Sequence, residues 1–165
     1  MKNLWLIRHG HALNFTSTAH DQDRLLSEEG VNEVSALKRF LAQRNVVPDL
    51  IKSSSAARTV STARILAGLT EYGEKSIQVL PELYLASTQA LWAVISQTDD
   101  AVQTLVIVAH NPGLEDLVTQ CAGRLVGLGT SAAVHLTFDV DSWLGVTSET
   151  LQQIDVMDPL QVAKS

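Results

Sequence analysis

Two short segments of this chain are apolar at every position: Leu4-Trp5-Leu6-Ile7 and Leu105-Val106-Ile107-Val108-Ala109. A strand with one wet face alternates apolar and polar residues, so these two read as strands covered on both sides. Parallel strands joined by helical crossovers receive that cover. The two runs also end alike, the first at Arg8-His9-Gly10 and the second at His110-Asn111-Pro112-Gly113. A third segment, Leu50-Ile51, leads through Ser53-Ser54-Ser55 to Arg58. In open α/β sheets, ligands sit outside the carboxyl ends of the strands near a topological switch point. These three strand ends are therefore expected to meet.

The rest of the chain continues the alternation. A strand is expected over 2–7, followed by a polar, aperiodic loop over 11–23. Ser27 caps a helix with Glu28 and Glu29 in its first turn and Val31, Val34, Leu37 and Leu41 at helical spacing, running to about Arg44. A strand over 49–53, a helix over 56–69 with Val60, Ala63, Ile65 and Leu66 inward, and a strand near 77–80 come next. The loop over 81–87 carries Glu82. A helix over 88–97 places Leu91, Val94 and Ile95 on one face. A strand over 104–109 precedes a helix over 114–121 that Gly123 ends. Residues 133–140 then alternate strictly, which predicts a half-exposed antiparallel strand near an edge. A last strand is expected over 151–156, and the tail from Asp158 carries no pattern. The fold class is α/β: a three-layer α/β/α sandwich, its central sheet mostly parallel with an antiparallel edge strand.

Composition narrows the function. The 165 residues suit one domain over 1–165, and 45% hydrophobic content suffices for a core. No apolar run approaches the roughly 20 residues that span a bilayer. No signal peptide is visible, and the single cysteine, Cys121, forms no internal disulfide. A cytoplasmic protein without membrane attachment is expected. The formal charge of −6 argues against a nucleic-acid surface. An anion site here is a local focus of positive charge, which Arg8 and Arg58 would supply.

Neutral imidazole is a competent nucleophile at phosphorus, and guanidinium groups bind phosphoryl oxygens through forked hydrogen bonds. Gly10 permits a sharp turn and close backbone approach. His110 can donate to the phosphoryl group or hold the first ring, and the helix that follows it favours anions at its N-terminus. Alone, Arg8-His9 is a charged strand end and His110 a satisfied histidine. Two histidines and two arginines at corresponding ends point to one phosphate-handling site.

These residues resemble a known family. Arg8-His9-Gly10 looks like the hallmark of the histidine phosphatase superfamily, whose fold is phosphoglycerate mutase-like. Ser54, Arg58 and Thr62 are spaced as in its second arginine motif. His110-Asn111-Pro112 is similar to the second histidine motif of its small SixA-type branch, which includes phosphohistidine phosphatases. Arg24 with the following leucines and Ser27, Pro81-Glu82-Leu83, and Thr130-Ser131-Ala132 match as well. The resemblance implies a metal-independent phosphatase without a cofactor. His9 would be the phosphorylated nucleophile, and Arg8, Arg58 and His110 would complete the pocket. Arg24 and Asn111 would add phosphate or substrate contacts, and Glu82 stands where larger members carry a proton donor. Otherwise Arg24 is a surface arginine and Glu82 a loop carboxylate. The expected partner is a phosphohistidine-bearing protein or a small phosphomonoester. Two positions depart from the pattern: Ser55 is often proline, and His11 stands where an acid is common.

Rival readings remain. His9-Gly10-His11 is a His-x-His pair of the kind found in metal-dependent hydrolases, which His110 or an aspartate could complete. Neighbouring arginines are poor company for a dication, and no His-Glu-x-x-His helix is present. A phosphate- or phosphoprotein-binding module with little turnover is a reading of another class, and a mutase is a third. His20 and His135 read as loop and strand-face residues, and Gly127 and Gly129 as a loop.

Overall fold

The apolar runs become the middle of one six-stranded sheet. The structure is a computed structural model that describes residues 1–14 and 20–158. Residues 15–19 of the long loop and 159–165 of the tail lie outside the described residues. The strands are β1 (Lys2–Arg8), β2 (Leu50–Ser54), β3 (Ile77–Leu80), β4 (Thr104–Ala109), β5 (Ala133–Phe138) and β6 (Leu151–Met157). The α-helices are α1 (Glu28–Gln43), α2 (Ala57–Leu66), α3 (Thr88–Ser96) and α4 (Gly113–Ala122). The sheet order is β3-β2-β4-β1-β5-β6. β3, β2, β4 and β1 are parallel, while β5 and β6 run antiparallel. Two antiparallel strands therefore close that edge, where the sequence reading placed one near it. β5 is covered by β6.

The double apolar faces have a direct structural cause. Leu4, Leu6, Leu105, Ile107 and Ala109 point into one core with α3 and α4. Trp5, Ile7, Val106 and Val108 point into the other with α1 and α2. On β5, Val134, Leu136 and Phe138 are fully buried, while His135 stacks flat on Trp5 with ring centroids 4.3 Å apart. Even the lysines on these strands are buried. Lys2 Nζ donates to the carbonyls of Asp100 and Val102, and Lys52 Nζ donates to Val94 O and Thr98 Oγ1.

The helices depart from expectation in detail. Ser27 caps α1 by accepting from Gly30 N. The inward stripe of α1 begins at Gly30, not Val31, and continues through Val34, Leu37 and Leu41, while Val31 is exposed. The cause is steric: a Cβ on residue 30 would stand 2.1 Å from the His11 carbonyl oxygen. α2 stops at Leu66, and a 3₁₀ turn covers Ala67–Leu69. Its buried face is Arg58, Thr59, Thr62, Ala63 and Leu66, with Val60 and Ile65 only half-buried. Gly123 ends α4 in the left-handed region at φ 69°.

Topology places the site. The crossovers through α1 and α2 lie on one face of the sheet and those through α3 and α4 on the other. The chain leaving β1 thus turns to the opposite face from the chain leaving the adjacent β4. A crevice opens between their carboxyl ends, as at other switch points. Because β5 is antiparallel, it starts beside the end of β1. Ser131 N donates to the carbonyls of Arg8 and His9 at 3.1 and 3.0 Å.

Candidate active site

Gly10 makes the turn after His9 possible. A Cβ there would lie 2.8 Å from Val34 Cγ2 and 2.9 Å from the Gly30 carbonyl oxygen. Gly10 N donates to Thr62 Oγ1, which in turn donates to Arg58 O. One threonine thereby joins the end of β1 to the helix that carries Arg58.

His9, Arg58 and His110 form one hydrogen-bonded group. His9 Nδ1 lies 2.7 Å from Gly10 O, an acceptor, so the ring proton is on Nδ1. Nε2 keeps its lone pair and receives Arg58 Nε–H at 3.3 Å. Arg58 Nη2 lies 3.2 Å from His110 Nδ1, and His110 Nε2 lies 2.7 Å from Ser54 Oγ. Arginine only donates, so His110 accepts at Nδ1 and donates to Ser54 from Nε2. The two imidazole centroids are 5.4 Å apart. Burial, reinforced by the arginines, lowers the His9 pKa to about 4 against the favourable Gly10 carbonyl. Burial followed by Arg58 and His9 lowers that of His110 to about 3. Both rings are neutral at pH 7, and the positive charge of the site resides on the arginines.

Arg8 and Asn111 share an anchor. Arg8 Nη1 and Asn111 Nδ2 both donate to Leu128 O, at 2.9 and 2.8 Å. Glu115 fixes that loop by accepting from Leu128 N and Asn111 Nδ2. Arg8 Nε and Asn111 Oδ1 are buried without a hydrogen-bond partner among the described residues. A second carboxylate, Glu33 on α1, accepts from His11 N and from the hydroxyls of Thr130 and Ser131.

These residues surround a cavity of about 310 Å³ lined by Arg8, His9, His11, Arg24, Arg58 and His110, among others. Asn111 and Thr130 line it too. Arg24 reaches the cavity while Nε donates to Leu13 O and Nη1 to Asp21 Oδ1 at 3.1 Å. Asp21 also braces Arg58: its carbonyl accepts from Nη1 at 2.8 Å and its Oδ2 from Nη2 at 3.1 Å. The Tyr84 hydroxyl donates to the same Asp21 oxygen. Tyr84 and the two arginines hold the Asp21 carboxyl near a pKa of about 2, with the tyrosine contributing most.

Glu82 is not brought into this group. It is exposed on the 3₁₀ turn Pro81–Leu83 and does not line the cavity. The same turn buries Leu83 in the core instead. Sequence reasoning missed Asp21, Glu33, Tyr84 and Glu115. The one local signal was the Asp21-x-x-Arg24 spacing, which the pair uses as an ion contact. Among the described residues, no three His, Cys, Asp or Glu side chains converge as a metal-binding group. No helix among them is long and apolar enough to cross a membrane.

The sequence profile of the histidine phosphatase superfamily (branch 1) matches residues 4–84. An uncharacterized chloroplastic protein of Arabidopsis thaliana is 28% identical over 151 residues, covering 86% of this chain and 69% of that protein. The crystal structure of a candidate phosphohistidine phosphatase, SixA, from Agrobacterium tumefaciens superimposes with a TM-score of 0.79. It is 28% identical, and the match covers 96% of this chain and 98% of the other. A protein histidine phosphatase SixA in complex with tungstate gives a TM-score of 0.78 at 22% identity, covering 97% and 99%. Profile, fold and strand-end residues agree: all match the histidine phosphatase superfamily and support a phosphatase of its SixA-type branch.

Proposed function

We propose that the chain is a metal-independent phosphatase that forms a phosphohistidine on His9 and acts on phosphohistidine carried by a protein. The observation that carries this reading is the tautomer of His9. The Gly10 carbonyl accepts a hydrogen bond from Nδ1–H, which leaves Nε2 with its lone pair beside Arg58 and the His9 and His110 rings close together. Attack from Nε2 forms the N–P bond as the leaving group departs, and water then cleaves it. Arg58 and Arg8 offset the charge on the transferring oxygens, and the unpartnered Arg8 Nε supports a further oxygen contact there.

Cavity size supports a protein substrate. At about 310 Å³ it stands at the low end of pockets that enclose small molecules. It accommodates a phosphoryl group and the first atoms of a leaving group, with the rest of the substrate outside. A phosphoramidate also leaves more readily than an alkoxide, which suits a site that Glu82 does not reach.

Hydrolysis of p-nitrophenyl phosphate and of a phosphohistidine protein, with and without EDTA, tests this. Wild-type turnover should resist EDTA, disappear in His9→Ala and be inhibited by tungstate. Full activity in His9→Ala would refute the nucleophile. Loss with EDTA and recovery with added metal would favour the His-x-His metal reading. Tight phosphate binding without turnover would favour a binding module.

A further inference from the structure

We infer that His11 is a catalytic residue of this site, the proton donor to the leaving group, and that it extends turnover to phosphomonoesters with poor, alkoxide-type leaving groups. The inference rests on the His9 reading above.

The argument begins with the other groups at the cavity. Arg8, Arg24 and Arg58 serve as hydrogen-bond donors to the phosphoryl oxygens. His9 is the nucleophile. His110 is neutral, its Nδ1 facing Arg58 and its Nε2 engaged with Ser54 Oγ. The Asp21 carboxyl is held ionised, and with Tyr84 it lines a neighbouring cavity instead. Glu82 is exposed and elsewhere. Among the described side chains lining the cavity, His11 is the imidazole that holds none of the phosphate contacts, so it can pass a proton without dismantling them.

Its ring is also held for the task. Ser27 Oγ donates to His11 O at 3.1 Å and accepts from Gly30 N at 3.0 Å. Its remaining lone pair faces His11 Nδ1 at 2.7 Å, which places a ring proton on Nδ1 and leaves Nε2 for exchange. The backbone of the same residue is pinned by Glu33, which accepts from His11 N at 3.0 Å. The charged groups facing the ring oppose one another. Glu29 Oε2 on α1 stands 3.8 Å from Nδ1, and Glu33 lies on the same helix. The same cavity is lined by Arg8 at the end of β1, His9 after it, Arg24 of the loop, Arg58 on α2 and His110 after β4. The side chain is 45% exposed, so solvent can return the proton.

The step balances. His9 Nε2 bonds to phosphorus as the phosphorus–oxygen bond breaks, and that electron pair goes to the leaving oxygen. The same oxygen takes the Nε2 proton of the His11 imidazolium and departs as an alcohol. Neutral His11 then accepts a proton from the water that attacks phosphohistidine, and the cycle closes with inorganic phosphate.

The test compares wild type and His11→Asn, which retains an amide donor toward Ser27, on p-nitrophenyl phosphate and on a simple alkyl phosphate across pH 5–9. Tungstate-induced thermal stabilisation checks that the variant still folds and binds an oxyanion. His11→Asn should lower kcat on the alkyl ester about 100-fold more than on the nitrophenyl ester, a typical general-acid contribution. The alkaline fall of kcat on the alkyl ester should vanish with it. Equal losses on both esters, or an unchanged alkaline limb, overturn the role of His11 while leaving the His9 reading intact. Wild-type turnover of either ester that survives His9→Ala overturns both, whereas wild type that turns over neither ester overturns the role of His11 alone.

Discussion

The two neutral histidines at the site tie stability to pH. In an unfolded chain each ring titrates near 6.5. In the fold they titrate at about 4 (His9) and about 3 (His110), so both resist protonation. The sign follows directly. A proton binds the unfolded chain first, so the stabilisation is fully present above pH 6.5 and is lost as pH falls toward these lower values. Between pH 7 and pH 5 the unfolded rings gain roughly three-quarters of a proton each while the folded rings gain almost none. Linkage then gives a loss of about 2 kcal/mol per ring and about 4 kcal/mol for the pair. His135, whose pKa burial also lowers, adds in the same direction. Asp21 titrates too low to contribute in this window.

Urea unfolding at pH 7 and pH 5, at matched ionic strength, measures the effect. With an m-value of about 2 kcal/mol/M, the midpoint should fall by roughly 2 M. Phosphate buffer must be avoided, because an anion bound only by the folded state adds stability of its own. His9→Asn should remove about half of the pH dependence attributed to the pair. A midpoint that moves by less than about 0.5 M would refute the reasoning. So would a His9→Asn variant with the full wild-type dependence.

Three further outcomes follow from the geometry. Gly30→Ala should cost more than about 2 kcal/mol in urea unfolding, because its Cβ meets the backbone oxygen of His11 at 2.1 Å and neither can move freely. Asp21→Ala should lower kcat/KM about tenfold by releasing Arg58 Nη2 from a charge-assisted bond, with Tyr84→Phe producing a smaller loss in the same assay. Glu33→Leu should lower the melting temperature and kcat together, since it strands His11 N and the hydroxyls of Thr130 and Ser131; its cost should be about 2 kcal/mol or more.

The parts of this protein that the sequence displays are those where a local pattern and a tertiary role coincide. β1 and β4 are legible because burial on both faces leaves no polar position in either run. His9, His110 and Arg58 are legible because they interrupt such patterns at strand or helix ends. Asp21 and Tyr84 interrupt nothing. They lie in polar stretches and reach Arg58 only because the fold brings residue 21 beside residues 58 and 84. Glu33 lies on the polar side of an amphipathic helix, where a carboxylate ordinarily faces water, and its function appears only when residues 130 and 131 arrive from the far end of the chain. Val31 misled for the opposite reason. It fits the apolar period, but the helix is rotated so that Gly30 meets the backbone of His11.

The same contrast explains how the site holds uncharged histidines among three arginines. A cationic cluster this close to His9 would be costly if every side chain were protonated. The fold avoids that cost by giving each positive charge an oxygen partner outside the reacting group. Arg58 and Arg24 lean on Asp21, while Arg8 leans on the Leu128 carbonyl that Glu115 holds in place. The carboxylates anchor the arginines from behind, so the faces turned to the cavity remain donors. On the proposed reading, an oxyanion entering there meets oriented N–H groups and a neutral imidazole, and little reorganisation is left to do when charge moves onto the transferring oxygens. Residues invisible to sequence patterning thus set the electrostatics in which the visible ones can react.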